Sequence, residues 1–298
     1  MGRLDSLDIL PRPRIFATAI LVGAGFCLLY WRVFAKLVSD WWTDDNYSHG
    51  FLIIPIAAYL LWERRDKLRA TPLAPSNFGL LVVVGSILVL LAGQLGAELF
   101  LTRISILGAL VGSVLFLFGW AWLRALAFPI AFLVLMIPLP AIIFNQITFP
   151  LQLLASRAGE YAISSVDIPV LREGNVLVLA NTTLEVAEAC SGIRSLVSLL
   201  TLGIVFGYFG DRRAWVRSAI ALSTIPIAIV ANGARVAGTG IAAHQFGPEA
   251  AQGFFHEFSG WVVFLVAFAL LLGVQRLILW LAPAKASTSQ NGSVSAAA

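Results

Sequence analysis

Apolar runs long enough to cross a bilayer recur along this chain and leave it little choice of fold. A hydrocarbon core about 30 Å thick takes roughly 20 apolar residues in helical form, because every backbone N–H and C=O must be satisfied inside the segment. Eight segments meet or approach that length, near 15–34, 50–62, 78–97, 104–123, 125–143, 191–209, 218–238 and 259–278. Only 12% of the 298 residues are charged, about half the ~25% of a soluble domain, so lipid rather than water must cover most of the surface. The expected fold is an all-α polytopic membrane protein of about eight transmembrane helices. Segment two is short at face value, and segments four and five part at a tight turn placed around Arg124. Arg3, Arg12 and Arg14 precede the first run as in a signal peptide, yet Tyr30, Trp31 and Arg32 follow it instead of a small-residue cleavage site, so a retained helix is expected.

Orientation follows from the lysines and arginines. If the first segment starts inside, the cytoplasmic side collects Arg3, Arg12, Arg14, Arg64, Arg65, Lys67, Arg69, Arg124, Arg212, Arg213, Arg217, Arg276 and Lys285, 13 of the 20 basic residues. The opposite side holds Arg32, Lys36, Arg103, Arg157, Arg172, Arg194 and Arg235. Both termini are then cytoplasmic, and residues 40–49, 144–189 and 239–258 face outward.

The stretch 144–189 is the one sizeable extramembrane insertion. Ile147 to Ser165 mixes apolar residues with Arg157 and Glu160, which suits a helix lying in the interface. Val176 to Leu179 and Leu184 to Val186 are β-favouring runs, with turn residues at Glu173-Gly174-Asn175 and Asn181-Thr182-Thr183, so a small β-meander is expected. Residues 1–283 thus form one transmembrane domain with this insertion, and 284–298, rich in Ala and Ser, a disordered cytoplasmic tail.

Three motifs stand at segment ends on the outward side: Glu188-Ala189-Cys190-Ser191-Gly192-Ile193-Arg194-Ser195, Asn232-Gly233-Ala234-Arg235-Val236, and Phe255-His256-Glu257-Phe258-Ser259-Gly260-Trp261. With these and the earlier Asn46-Tyr47-Ser48-His49-Gly50 in view, the chain resembles the exosortase and archaeosortase family from about residue 40 to 275, and in particular the bacterial exosortase branch, where the third motif carries histidine. Some exosortases carry an extra soluble domain after the last helix, and none is expected here. The resemblance implies a cysteine transpeptidase of the bacterial inner membrane with its site facing the periplasm or exterior. Its partners would be exported proteins that end in a short motif such as Pro-Glu-Pro (the PEP-CTERM type), a transmembrane helix and a basic tail, and an acceptor nucleophile.

The residue types fit that chemistry. A thiol with a pKa of about 8.5 needs a nearby cation to become a thiolate at neutral pH, and Arg235 or His256 would supply it. Cys190 would attack, His256 would move the proton, and Arg235 would hold the oxyanion. Arg194, Asn232 and His49 are candidates for substrate binding or support, with ion pairing for Arg194, a helix-to-helix contact for Asn232 and capping of segment two for His49 as the plainer alternatives. Taken singly, Cys190 is a packed small hydrophobe, Arg235 a snorkelling arginine and His256 an interfacial loop residue. Cys27 lies within the first apolar run and is expected to pack there. No helical His-x-x-x-His spacing points to a metal, no cofactor is implied, and no nucleic-acid signature appears. A transporter or assembly component for exopolysaccharide export is the rival class, but charges gathered at segment ends, not along a midplane pathway, favour interfacial chemistry.

The charge split predicts that an impermeant tag label reaches positions in 168–188 from outside and the Arg64–Arg69 loop only after permeabilisation. The reverse pattern would put the three motifs in the cytoplasm.

Overall fold

A computed structural model describes residues 12–186, 193–247 and 253–282. The chain divides into two units, Met1–Ile147 and Thr148–Ala298. Helices fall in all eight apolar segments within these units, the fifth being interrupted. The three-stranded sheet is a minor insertion, so the fold is all-α and polytopic as expected. Among the described residues, five helices are long and apolar enough to cross a membrane: Ala17–Thr43, Phe78–Leu95, Leu99–Phe118, Ala214–Phe246 and Phe258–Leu281. The broken pair Trp120–Met136 and Ala141–Ser164 makes a sixth if counted as one span. The count falls below eight for reasons of length. Segment two is a 14-residue helix, only about 21 Å long at 1.5 Å per residue. The fifth is interrupted before Pro138 and Pro140, where Ile137 is extended, because the residue ahead of a proline is pushed out of the helical region.

The first unit contains α1 (Arg12–Thr43), α2 (Gly50–Glu63), α3 (Arg65–Ala70), α4 (Phe78–Leu95), α5 (Leu99–Phe118) and α6 (Trp120–Phe132), and the start of α7 (Ala141–Ser164). Its tightest pairing is α4 against α5. These helices touch through small residues: a Cβ on Gly112 would lie 2.7 Å from the Val83 nitrogen, and one on Gly93 2.8 Å from the Thr102 nitrogen. Lipid tails provide no hydrophobic drive between helices, so close backbone approach is what makes them stick. Glu98 caps α5, its Oε2 accepting from the Leu101 N–H at 2.9 Å. The α5–α6 break falls at Gly119, φ 87°, not at Arg124, which lies inside α6. Only glycine takes that conformation readily, and an arginine in a helix offers no such stop.

Polar groups tie α1 to this frame. The Tyr30 hydroxyl donates to the Ser105 carbonyl at 3.1 Å, and Trp41 Nε1 donates to the Met136 carbonyl at 3.0 Å. Arg103, 4% exposed, forms an ion pair with Asp40, which also receives Lys36 at 2.8 Å. An arginine so near a lipid-facing surface is held by a carboxylate of its own.

The second unit holds the rest of α7, strands β1 (Val170–Glu173), β2 (Val176–Leu179) and β3 (Thr183–Glu185), then α8 (Ile193–Gly210), α9 (Ala214–Phe246) and α10 (Gly253–Leu281). The strands form an antiparallel meander in the order β1-β2-β3. The first of them has no clear signal in the sequence, since Arg172 and Glu173 make half of β1 charged. The β1–β2 turn falls on Gly174 and Asn175 as expected, with Gly174 at φ 66°. Ser156 of α7 donates to the Gly174 carbonyl at 3.0 Å, and Arg172 pairs with Glu160 at 2.8 Å, so α7 grips the meander. It begins at Ala141, six residues before the expected interface helix. At the α8–α9 turn Asp211 receives side-chain hydrogen bonds from Arg213, Nε to Oδ1 at 3.0 Å and to Oδ2 at 3.2 Å, and Nη2 to Oδ2 at 2.7 Å. These bonds hold the Asp211 carboxyl down at about 2. The expected tail, 284–298, lies outside the described residues.

Replacing Gly112 by valine forces the α4–α5 backbones apart and should destabilise the solubilised protein by about 1–3 kcal/mol, the usual range for overpacking. Gly85→Val on the same hairpin, with nothing within 4 Å of its Cβ position, should be near neutral. Thermal unfolding in detergent compares the two.

Candidate active site

Helix α9 is the axis of the second unit, and its sequence gives it two working faces. Gly233, Val236, Ala237 and Gly240 recur at helical spacing and are buried. A Cβ on Gly240 would meet the Ile163 side chain and, at 3.4 Å, Leu184 of β3, while one on Gly233 would sit 2.9 Å from the Ala158 Cβ. Val236 and Ala237 join Ala155, Ile163, Ile168, Leu177, Leu179 and Val186 in one apolar cluster. This face is pressed into α7 and the meander.

The neighbouring face carries Ala228, Ala231, Asn232 and Arg235, spaced i, i+3, i+4 and i+7. Together with Ser195 and Leu199 of α8 and Val263, Phe264 and Ala267 of α10, these residues line a small cavity of about 10 Å³, room on the order of one water molecule. Asn232 is 6% exposed and Arg235 is half-buried. The Arg235 guanidinium lies against α10 at Gly260, where an added Cβ would be 3.4 Å from Nη2 and 3.5 Å from Cζ. The Arg235 head thus packs beside the α10 backbone at Gly260.

Of the residues singled out from sequence, Asn232 and Arg235 share the cavity. His256 lies in the first turn of α10, and its position precedes Gly260 by four residues, hence by one turn on the same helix face as Gly260, Val263, Phe264 and Ala267. Cys190 lies outside the described residues. Chain connectivity alone keeps its Cα within about 11 Å of that of Ile193, where α8 begins. Arg194 stands exposed in the first turn of α8, beside cavity-lining Ser195. Gly260 and Ser195 have no role that sequence alone assigns, although Gly260 stands at the i+4 interval from His256 that signals a shared face. Among the described residues, no three His, Cys, Asp or Glu side chains gather as a metal site would require.

His49 belongs to the first unit. It occupies the N-cap position of α2 but makes no capping bond. Instead its Nε2 lies 3.1 Å from the Leu135 carbonyl oxygen, which makes Nε2 the N–H of the neutral ring. Capping is therefore replaced by a bond across the unit. At 7% exposure its pKa is lowered, chiefly because burial penalises the charged ring, against the opposing pull of the Leu135 and Asn46 carbonyls.

Helices of this length and composition, with a cation and an amide on a buried face at a helix junction, define a multi-pass membrane protein with a polar site among its helices. The family model for transmembrane exosortases matches residues 41–273, and the chain belongs to that family. No curated protein and no solved structure matches it. Membership implies a membrane transpeptidase or protease-like function, in a family whose members are generally cysteine transpeptidases.

A histidine held neutral contributes stability that is complete above its unfolded pKa of about 6.5 and is lost as pH falls through the lower folded value. Thermal unfolding between pH 7.5 and 5 should therefore show a steeper acid loss for the wild type than for His49→Gln, which keeps a donor near Leu135 but does not titrate. Parallel curves would show that His49 is as easily protonated folded as unfolded.

Proposed function

We propose that this chain is a cysteine transpeptidase that cleaves C-terminal sorting signals of the PEP-CTERM type from exported proteins, at the outer interface of the bacterial inner membrane. Cys190, as thiolate, attacks the scissile carbonyl carbon, and the C–N bond breaks as His256 gives its proton to the leaving amine. The resulting thioester is then attacked by the acceptor nucleophile, whose proton passes to His256, and the thiolate leaves. Arg235 holds the tetrahedral oxyanion in both steps, being charged at any working pH. Asn232 and Arg194 would position Arg235 and the substrate, and His49 would have a supporting role.

One observation carries this reading. The helices that adjoin or contain the three motifs, α8, α9 and α10, line a single cavity with Arg235 at its wall, and the guanidinium rests one helical turn from position 256. A snorkelling arginine would reach outward to water instead. A substrate anchored by its own helix would present its cut site at the same interface.

Coexpression with a tailed substrate and mass measurement of the product is the direct test. Cys190→Ala and Cys190→Ser should abolish processing with insertion intact, while Cys27→Ala processes normally. Arg235→Lys, which keeps the charge but loses the planar fork, should slow processing by about 100-fold, and His256→Ala by a similar ~100-fold. Normal processing by Cys190→Ala would remove the enzyme reading.

A further inference from the structure

Among the described residues no fourth strand pairs with the β3 edge of the meander, and β3 precedes Cys190 in sequence by a few residues. In β3, Leu184 pairs with Leu177 of β2, and the flanking bonds run from Leu179 N–H to the Thr182 carbonyl and from Val186 N–H to the Asn175 carbonyl, both 2.8 Å. The backbone groups of residues 182, 184 and 186 thus face β2. Alternation along a strand turns the N–H and C=O of Thr183 and Glu185 the other way, and both residues are exposed. The strand itself is firmly seated: Leu184 packs toward Gly240 of α9, and Val186 is 2% exposed. At the opposite edge, β1 is tied to α7 through Arg172 and Glu160.

We propose that β3 is the docking strand for the substrate, whose extended segment at the cut site adds to the meander as a fourth strand. This rests on the assignment of Cys190 as the nucleophile. Main-chain pairing of this kind holds a peptide straight and in register whatever its side chains. Glu185 is five residues from Cys190, at most about 17 Å of extended chain, so a peptide of similar length laid beside β3 spans the distance to the thiol. An edge that binds by backbone also suits an enzyme whose substrates share a short signal and differ elsewhere.

Proline is tolerated where an edge strand's N–H points away from the sheet. Thr183→Pro and Glu185→Pro therefore remove one outward donor each and leave the β2 pairing in place. In full-length enzyme purified in detergent, each should lower kcat/KM on a tailed substrate by about fivefold, the worth of one main-chain hydrogen bond. A second measurement leaves the enzyme untouched: a series of synthetic tailed peptides, N-methylated one position at a time upstream of the cut, should show losses at every second residue. Proline variants that unfold at the wild-type temperature and process at the wild-type rate would overturn the proposal, as would N-methyl effects without alternation. A change of oligomeric state in the proline variants with unchanged rates would assign the edge to pairing between copies of this chain and equally overturn it. In these cases Cys190→Ala remains inactive and the enzyme reading stands, whereas absence of any processing by the wild type sinks both.

Discussion

The hold on α9 is the constraint on which the second unit depends. Helices in lipid gain nothing by hiding apolar side chains from one another, so they associate where backbones approach and where polar groups meet. The buried Gly233, Val236, Ala237 and Gly240 let α7 and the meander press against one face of α9. That grip fixes the helix's rotation, and rotation decides where Arg235 points. On the far side Gly260 accepts the guanidinium. Small residues on α9 and α10 thus surround the position of Arg235 at the cavity wall.

The two buried-side arginines show what a cation in such a protein requires. Arg103 is almost wholly enclosed and has the Asp40 carboxylate against it, shared with Lys36. Its charge is neutralised within the frame. Arg235 lies instead over a glycine, at the wall of a cavity lined also by an amide and a serine. The first arrangement encloses an ion pair, whereas the second places a guanidinium at a cavity wall.

Much of the fold was legible because bilayers read sequences by length. Every apolar run but the fifth, which is interrupted, became a helix, and the meander's turns were announced by Gly174-Asn175 and Asn181-Thr182. What failed was what depends on tertiary context. Arg124 looked like a turn because charges favour segment ends, yet Gly119, one glycine among many, made the break through its backbone angle. β1 was hidden because Arg172 spends its charge on Glu160 of α7, a partner no local pattern reveals. For His49 the sequence left support and capping both open, and the structure replaces the cap with a contact to Leu135, 86 residues away. In the site, residue types and motif order pointed to Asn232 and Arg235, while the contributions of Gly260 and Ser195 come from surfaces that exist only when three helices meet.

The ion pair between Asp40 and Arg103 joins residues 63 positions apart, on the first and fifth helices. A ribosome delivers them in order, so α1 enters the membrane with Asp40 paired only to Lys36 of its own helix. Until α5 emerges, that end of α1 must stay near headgroups and water, and α5 in turn brings an arginine that gains its enclosure only on meeting α1. The enclosed pair therefore exists only once the fifth helix is in place, and the residues of the second unit follow it in the chain.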